Sequence, residues 1–137
     1  PAQDTQVVVM RQALESAGIP ASEISFVSGH GTSTDAGDMV ESKATEEVYG
    51  VDVPFHTLKG HFGHTLGACG AIEAWLGIEM MREGWLAPIA NFKTADPKCA
   101  PLDFIDGEGR RLDASYFASN NFAFGGINTS LIFKRLS

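Results

Sequence analysis

Ile24-Ser25-Phe26-Val27-Ser28-Gly29-His30-Gly31-Thr32-Ser33-Thr34 and Val53-Pro54-Phe55-His56-Thr57-Leu58-Lys59-Gly60-His61-Phe62-Gly63-His64 follow one pattern. In each, an apolar run with β-branched and aromatic residues passes into a glycine-punctuated loop that carries a histidine. A helix is predicted after each loop. The first, capped by Asp35 or Asp38, carries Val40, Ala44 and Val48 on one face, with its acidic residues on the other, and stops at Gly50. The second runs from about Leu66 to Glu83 and is terminated by Gly84. Strand, histidine loop and helix therefore occur twice, with strands over Ile24–Val27 and Val53–Leu58.

Upstream, Val7, Met10, Leu14 and Ala17 recur at helical spacing, so a helix is expected from Thr5 to Ala17, with Gly18 just past its end. Beyond Gly84, Pro88, Asn91 and Pro97 mark loops, and Leu102–Ile105 reads as a short strand. Tyr116–Phe122 and Thr129–Lys134 flank Phe124-Gly125-Gly126 as an antiparallel hairpin. These strands and helices imply an α/β layered unit with a mixed five-stranded sheet, and ligands in such sheets gather at the strands' C-terminal ends.

Composition narrows the function. A chain of 137 residues with 44% hydrophobic content is long enough to bury one core, and a single unit, residues 1–137, is expected. A net charge of −7 without a Lys/Arg-rich run argues against a nucleic-acid binder and fits a cytoplasmic protein. The apolar stretch Ala71–Met81 is too short to span a bilayer and is interrupted by Glu73 and Glu79. A chain that starts at Pro1 and has no basic stretch before an apolar run is expected to be a fragment or a processed product without a signal peptide. Cys69 and Cys99 match neither a disulfide framework nor a zinc motif, although a single bond between them stays open. His56, His61 and His64 lack interleaved acids and the HExxH pattern, so no metal site is expected.

His30 and His64 both sit at the end of predicted strand–loop units beside glycines, and His30 is followed by the hydroxyls of Thr32 and Thr34. As neutral imidazoles they are suited to donate Nε2–H bonds to a carbonyl oxygen that becomes an enolate. One preorganised donor of this kind contributes roughly 2.7–4 kcal/mol. Lys59, five residues before His64, needs a counter-ion if it is buried, and Glu41 on the helix after the His30 loop is the candidate; the competing reading keeps the two as independent solvated charges. Cys69 among Ala and Gly reads as a small buried hydrophobe rather than a nucleophile. Phe124, next to two glycines, suits a mobile wall that gates an acyl pocket.

These residues resemble the C-terminal half of the β-ketoacyl-acyl-carrier-protein synthases, condensing enzymes of the thiolase-like superfamily. The likeness is carried by His30-Gly31-Thr32-Ser33-Thr34 with Gly37, Asp38 and Glu41, by Lys59 with Gly63-His64, by Gly67-Ala68 with Gly70-Ala71, and by Asn121 to Asn128. It implies a thiolase-like layered half and a decarboxylative Claisen condensation. His30 and His64 would bind the malonyl thioester oxygen, Lys59 paired with Glu41 would orient the site, Thr32 and Thr34 would hold the phosphopantetheine arm, and Phe124 would gate. The resemblance implies no resident cofactor, because the substrate rides on an acyl carrier protein. The expected partners are the N-terminal half of the synthase, the carrier protein, and a second synthase copy or a partner subunit in a dimer.

Departures from the family pattern are equally specific. The family's nucleophilic cysteine lies in the N-terminal half, so this chain alone is expected to be inactive. Cys69 replaces a usual alanine, His61 a non-histidine, and Ala123 a common glycine, which stiffens the gating loop. The alternatives are a non-catalytic chain-length-determining subunit of a ketosynthase heterodimer and, less favoured, a degradative thiolase. The acidic balance places the basic contacts for an acidic carrier protein mostly outside this chain.

Overall fold

The computed structural model describes residues 1–137. In chain order its elements are α1 (Gln3–Ala17), β1 (Phe26–Ser28), α2 (Asp35–Tyr49), β2 (Pro54–His56), α3 (Lys59–Phe62), α4 (Cys69–Glu83) and β3 (Trp85–Leu86). They continue with β4 (Asp103–Phe104), β5 (Arg110–Arg111), β6 (Tyr116–Phe122) and β7 (Asn128–Lys134). The main sheet has five strands in the order β4-β2-β1-β6-β7. The first four run parallel and β7 returns antiparallel to β6, so the sheet is mixed, as its residue pattern implies.

The two strand–loop units lie side by side at the sheet's centre. Val27 stands opposite Phe55 and Ser28 opposite His56, so both histidine-bearing loops leave the same C-terminal edge. Alternation along these strands divides the core. Val27, Phe55 and Ala118 pack with Leu14 of α1 and with Val48 and Tyr49 of α2 on one face. Phe26 and Phe117 pack with Met80 and Met81 of α4 on the other. Phe26, Phe117 and Phe133 stack in a row with centroids 4.8 Å apart at each step, and such contacts add about 0.5–1.5 kcal/mol per pair beyond simple area burial. Gly77 makes this possible, because a Cβ there would overlap the Phe117 ring.

Several boundaries differ from the pattern reading. The first strand begins at Phe26 rather than Ile24, and Leu102–Ile105 contracts to Asp103–Phe104. The loop after Lys59 contains one helical turn, closed where Gly63 takes φ 86°. The next helix opens as a 3₁₀ turn over Leu66–Ala68, since Leu66 sits at φ 54°, and becomes regular only at Cys69. Neither Asp35 nor Asp38 is the N-cap of α2; Thr34 occupies that position, and Asp38 reaches back to accept the Ser33 N–H at 3.2 Å. The acidic face of α2 is not wholly solvated either, because Glu41 is buried. Both cysteines are free. A second sheet, β3 antiparallel to β5, was not expected, since two-residue strands carry no readable periodicity.

Candidate active site

The His30 loop begins where β1 ends. The Gly29 N–H still donates to the His56 carbonyl at 2.8 Å, and a Cβ on Gly29 would overlap the Phe55 ring, so only glycine lets the chain turn this close to β2. The turn leaves two backbone donors facing inward. Glu41 takes both, accepting the His30 N–H at 2.6 Å and the Gly31 N–H at 2.8 Å. Burial pushes the Glu41 carboxyl up to about 7, opposed by these two bonds. Thr57 braces the same loop by donating its hydroxyl to the Gly31 carbonyl at 3.2 Å.

Glu41 is therefore not the counter-ion of Lys59, contrary to the expected pairing. Its two oxygens are occupied by backbone, and Lys59 turns instead to Glu73 of α4, donating to Oε1 at 2.5 Å. Both side chains are buried, with 5% and 1% of their surface exposed. Burial raises the Glu73 carboxyl while Lys59 pulls it down. The Lys59 ammonium also donates to the His30 carbonyl at 2.7 Å and lies 3.2 Å from His30 Nδ1. Its three protons thus have three acceptors, and two belong to His30.

That arrangement sets the His30 tautomer. An ammonium is a donor only, so the Nδ1 it faces is a lone pair and the ring proton sits on Nε2. Burial, then the Lys59 charge, and to a lesser degree His64, hold the His30 imidazole down at about 4, while the Asn121 contact opposes them. His64 reaches the same tautomer by another route. Gly63 swings the chain out of α3, and His64 Nδ1 accepts the Leu66 N–H at 3.0 Å, which again leaves the proton on Nε2. The two rings meet edge to face, with centroids 5.4 Å apart and planes at 90°. Sequence spacing placed both at the sheet's C-terminal edge, and the fold brings them into contact.

The remaining expected site residues lie around this pair at different distances. Thr32 and Thr34 share a hydroxyl contact of 3.2 Å on the open side of the His30 loop. Phe124 is 98% exposed at the tip of the β6–β7 hairpin and touches neither imidazole, whereas Phe122 of β6 comes within 6.2 Å of the His30 ring. His56 and His61 sit apart, their ring nitrogens donating to the Ala87 and Pro88 carbonyls at 2.8 and 2.7 Å. Two participants escaped the sequence reading. Glu73 had a visible signal, an acid within the apolar first half of a helix. Asn121 belongs to the Asn121–Asn128 stretch already singled out, but nothing in the sequence shows that its Oδ1 lies 3.3 Å from His30 Nδ1, because the contact spans 91 positions.

Comparison with known proteins gives the family of this fold. Residues 1–93 match the family profile described as Beta-ketoacyl synthase, C-terminal domain. The chain is 36% identical over 129 residues to 3-oxoacyl-[acyl-carrier-protein] synthase 2 of Staphylococcus aureus (strain COL), a match that covers 92% of this chain and 31% of the relative. Among solved structures, a beta-ketoacyl synthase from Burkholderia phymatum STM815 superposes with a TM-score of 0.99 at 55% identity, covering 100% of this chain and 34% of that one. The ishigamide ketosynthase/chain length factor superposes at 0.96 with 34% identity, again covering 100% of this chain and 34% of that one. The chain spans about a third of the length of these relatives.

Proposed function

The chain belongs to the β-ketoacyl synthase family as its C-terminal domain, and from that premise we propose that it supplies the oxyanion donors of a decarboxylative Claisen condensation. A malonyl thioester carried on phosphopantetheine places its carbonyl oxygen between His30 and His64. The bond from the α-carbon to the carboxylate breaks, carbon dioxide leaves, and the electron pair moves into the enolate. Its negative charge is held on the oxygen by two Nε2–H donors. The α-carbon then attacks an acyl thioester held on a cysteine of the remainder of the protein, and that thiolate departs as the new carbon–carbon bond forms.

One observation carries this reading: each ring has a donor at its Nδ1, Lys59 for His30 and the Leu66 N–H for His64, so both present Nε2–H from adjacent positions. Donors held in advance of the reaction need no reorganisation when charge develops. Lys59 acts here as a positioning group, fixed by Glu73 and gripping both ends of His30. Thr32 and Thr34 line the approach of the phosphopantetheine arm, and Phe124, on its glycine-flanked hairpin tip, gates the acyl chain. The carrier is an acyl carrier protein, and the working unit is a dimer of the full-length synthase.

The test uses the full-length protein. His30→Ala and His64→Ala should each reduce malonyl decarboxylation by about 10²–10³ in kcat. Ordinary turnover in the double variant would overturn the assignment. A second reading, a non-catalytic chain-length subunit, draws on the likeness to the ishigamide ketosynthase/chain length factor. Retention of both donors in matched tautomers weighs against it, since a partner without chemistry needs neither. Absence of a cysteine at the nucleophile position of the remaining sequence would favour it.

A further inference from the structure

Three elements converge on one carboxamide. Asn121 lies near the end of β6, and its Oδ1 is 3.3 Å from His30 Nδ1 and 3.3 Å from the Cys69 Sγ at the start of α4. Gly70 lies beside it, where even a Cβ would reach Asn121 Nδ2 only at an ordinary contact distance of 3.5 Å. The backbone behind it is fixed as well: Asn121 pairs with Thr129 in the β6–β7 ladder, and its carbonyl accepts the Thr129 hydroxyl at 3.4 Å. Neither Asn121 nor Cys69 has a part in the chemistry described above.

We propose that Asn121 is a positioning residue for His30: its amide, tethered by the Cys69 thiol, fixes the edge of the imidazole that carries Nδ1, so that Nε2 stays aimed at the substrate oxygen. The proposal rests on the ketosynthase reading of the site. Lys59 alone does not determine the ring's orientation, because its ammonium is shared with the His30 carbonyl and Glu73. The Asn121 side chain limits rotation of the ring by packing against the same edge, with no hydrogen bond to Nδ1 in the working tautomer. The two contacts are also complementary. While Nδ1 is a lone pair, Lys59 donates to it; once Nδ1 carries a proton, only the Asn121 oxygen is able to accept it. The Cys69 S–H donates to that oxygen and keeps it, rather than the amide NH₂, turned toward the ring.

Charged and titratable groups surround His30 directly or through Lys59 and Asn121. Lys59 comes from α3, His64 from the loop before α4, Glu73 and Cys69 from α4, and Glu41 from α2 beneath the loop backbone. Lys59 and His64 oppose protonation of the ring, and Asn121 favours it. Changing Asn121 should therefore move His30 in a direction set by the new group, which a residue that merely fills space would not do.

The experiment compares wild type with Asn121→Ala, Asn121→Asp and Cys69→Ala in the full-length protein, reading the ring nitrogens of His30 by ¹⁵N NMR across pH and malonyl decarboxylation by steady-state kinetics. Asn121→Ala should lower kcat by about ten- to a hundredfold with KM changed less than about twofold, and should shift the His30 titration downward. Asn121→Asp, which places a negative charge at Nδ1, should shift it upward by about 1–3 units. Cys69→Ala should give a smaller loss in the direction of Asn121→Ala. If Asn121→Ala does not fold, Asn121→Ser, which has a shorter reach, is judged by the same criteria. An unchanged His30 titration in both Asn121 variants, or kcat within about twofold of wild type in Asn121→Ala, overturns the proposal. If the wild type itself does not decarboxylate, the functional reading fails, while the ring titrations still decide the role of Asn121.

Discussion

Lys59 and Glu73 form an ion pair of 2.5 Å inside the domain, joining the turn after β2 to the middle of the first half of α4. Burial makes this pair sensitive to the loss of one member. Glu73→Ala leaves an ammonium without a counter-ion and should cost about 3–5 kcal/mol, measured by denaturant unfolding of the full-length protein. It should also release Lys59 from His30. Wild-type stability in this variant would show that Lys59 reaches water.

Glu41 holds backbone rather than charge, and its variant should behave differently. Glu41→Gln keeps one acceptor oxygen but sets an NH₂ against one of the two backbone donors, His30 N–H or Gly31 N–H. The expected cost is about 1–3 kcal/mol, with the Lys59–Glu73 pair intact in the variant's crystal structure. A variant in which Lys59 lost Glu73 would contradict the separation of the two acids.

Gly77 makes the aromatic row possible. Gly77→Ala should drive the Phe117 ring from its stacked position against Phe26 and Phe133, at a cost of about 1–3 kcal/mol in thermal or denaturant unfolding. A neutral or stabilising result would mean that α4 shifts outward freely.

Acid should destabilise the fold through His56. Its ring is buried against Phe26, donates Nδ1–H to the Ala87 carbonyl, and is held down by burial to about 4 from the ordinary 6.5. The unfolded chain therefore takes up a proton at a higher pH than the folded one. Stability that is fully present above pH 6.5 is lost as the pH falls toward 4, to the extent of about 3 kcal/mol for this group. His56→Asn should flatten that part of the pH–stability curve; an unchanged curve would exclude His56 as its source.

The parts of this molecule legible in its sequence were those with local periodicity or local chemistry. Val7, Met10 and Leu14 mark α1 because a helix repeats within a few residues, and His30 and His64 were found because glycines and hydroxyls surround them in the chain. The partner of Lys59 was misassigned because spacing does not reveal which acid spends its oxygens on backbone N–H groups. Glu41 does so, and Glu73 is left free to pair. Asn121 stayed hidden because its contact with His30 exists only once β6 lies beside β1. Trp85–Leu86 and Arg110–Arg111 were missed for want of length.

The most direct test of the account is a crystal structure of the full-length protein bound to a non-reactive malonyl thioester analogue. The thioester carbonyl oxygen should lie within about 3 Å of both His30 Nε2 and His64 Nε2, with Lys59 still on Nδ1 of the former. An oxygen held by one ring alone, or by Lys59, would contradict it.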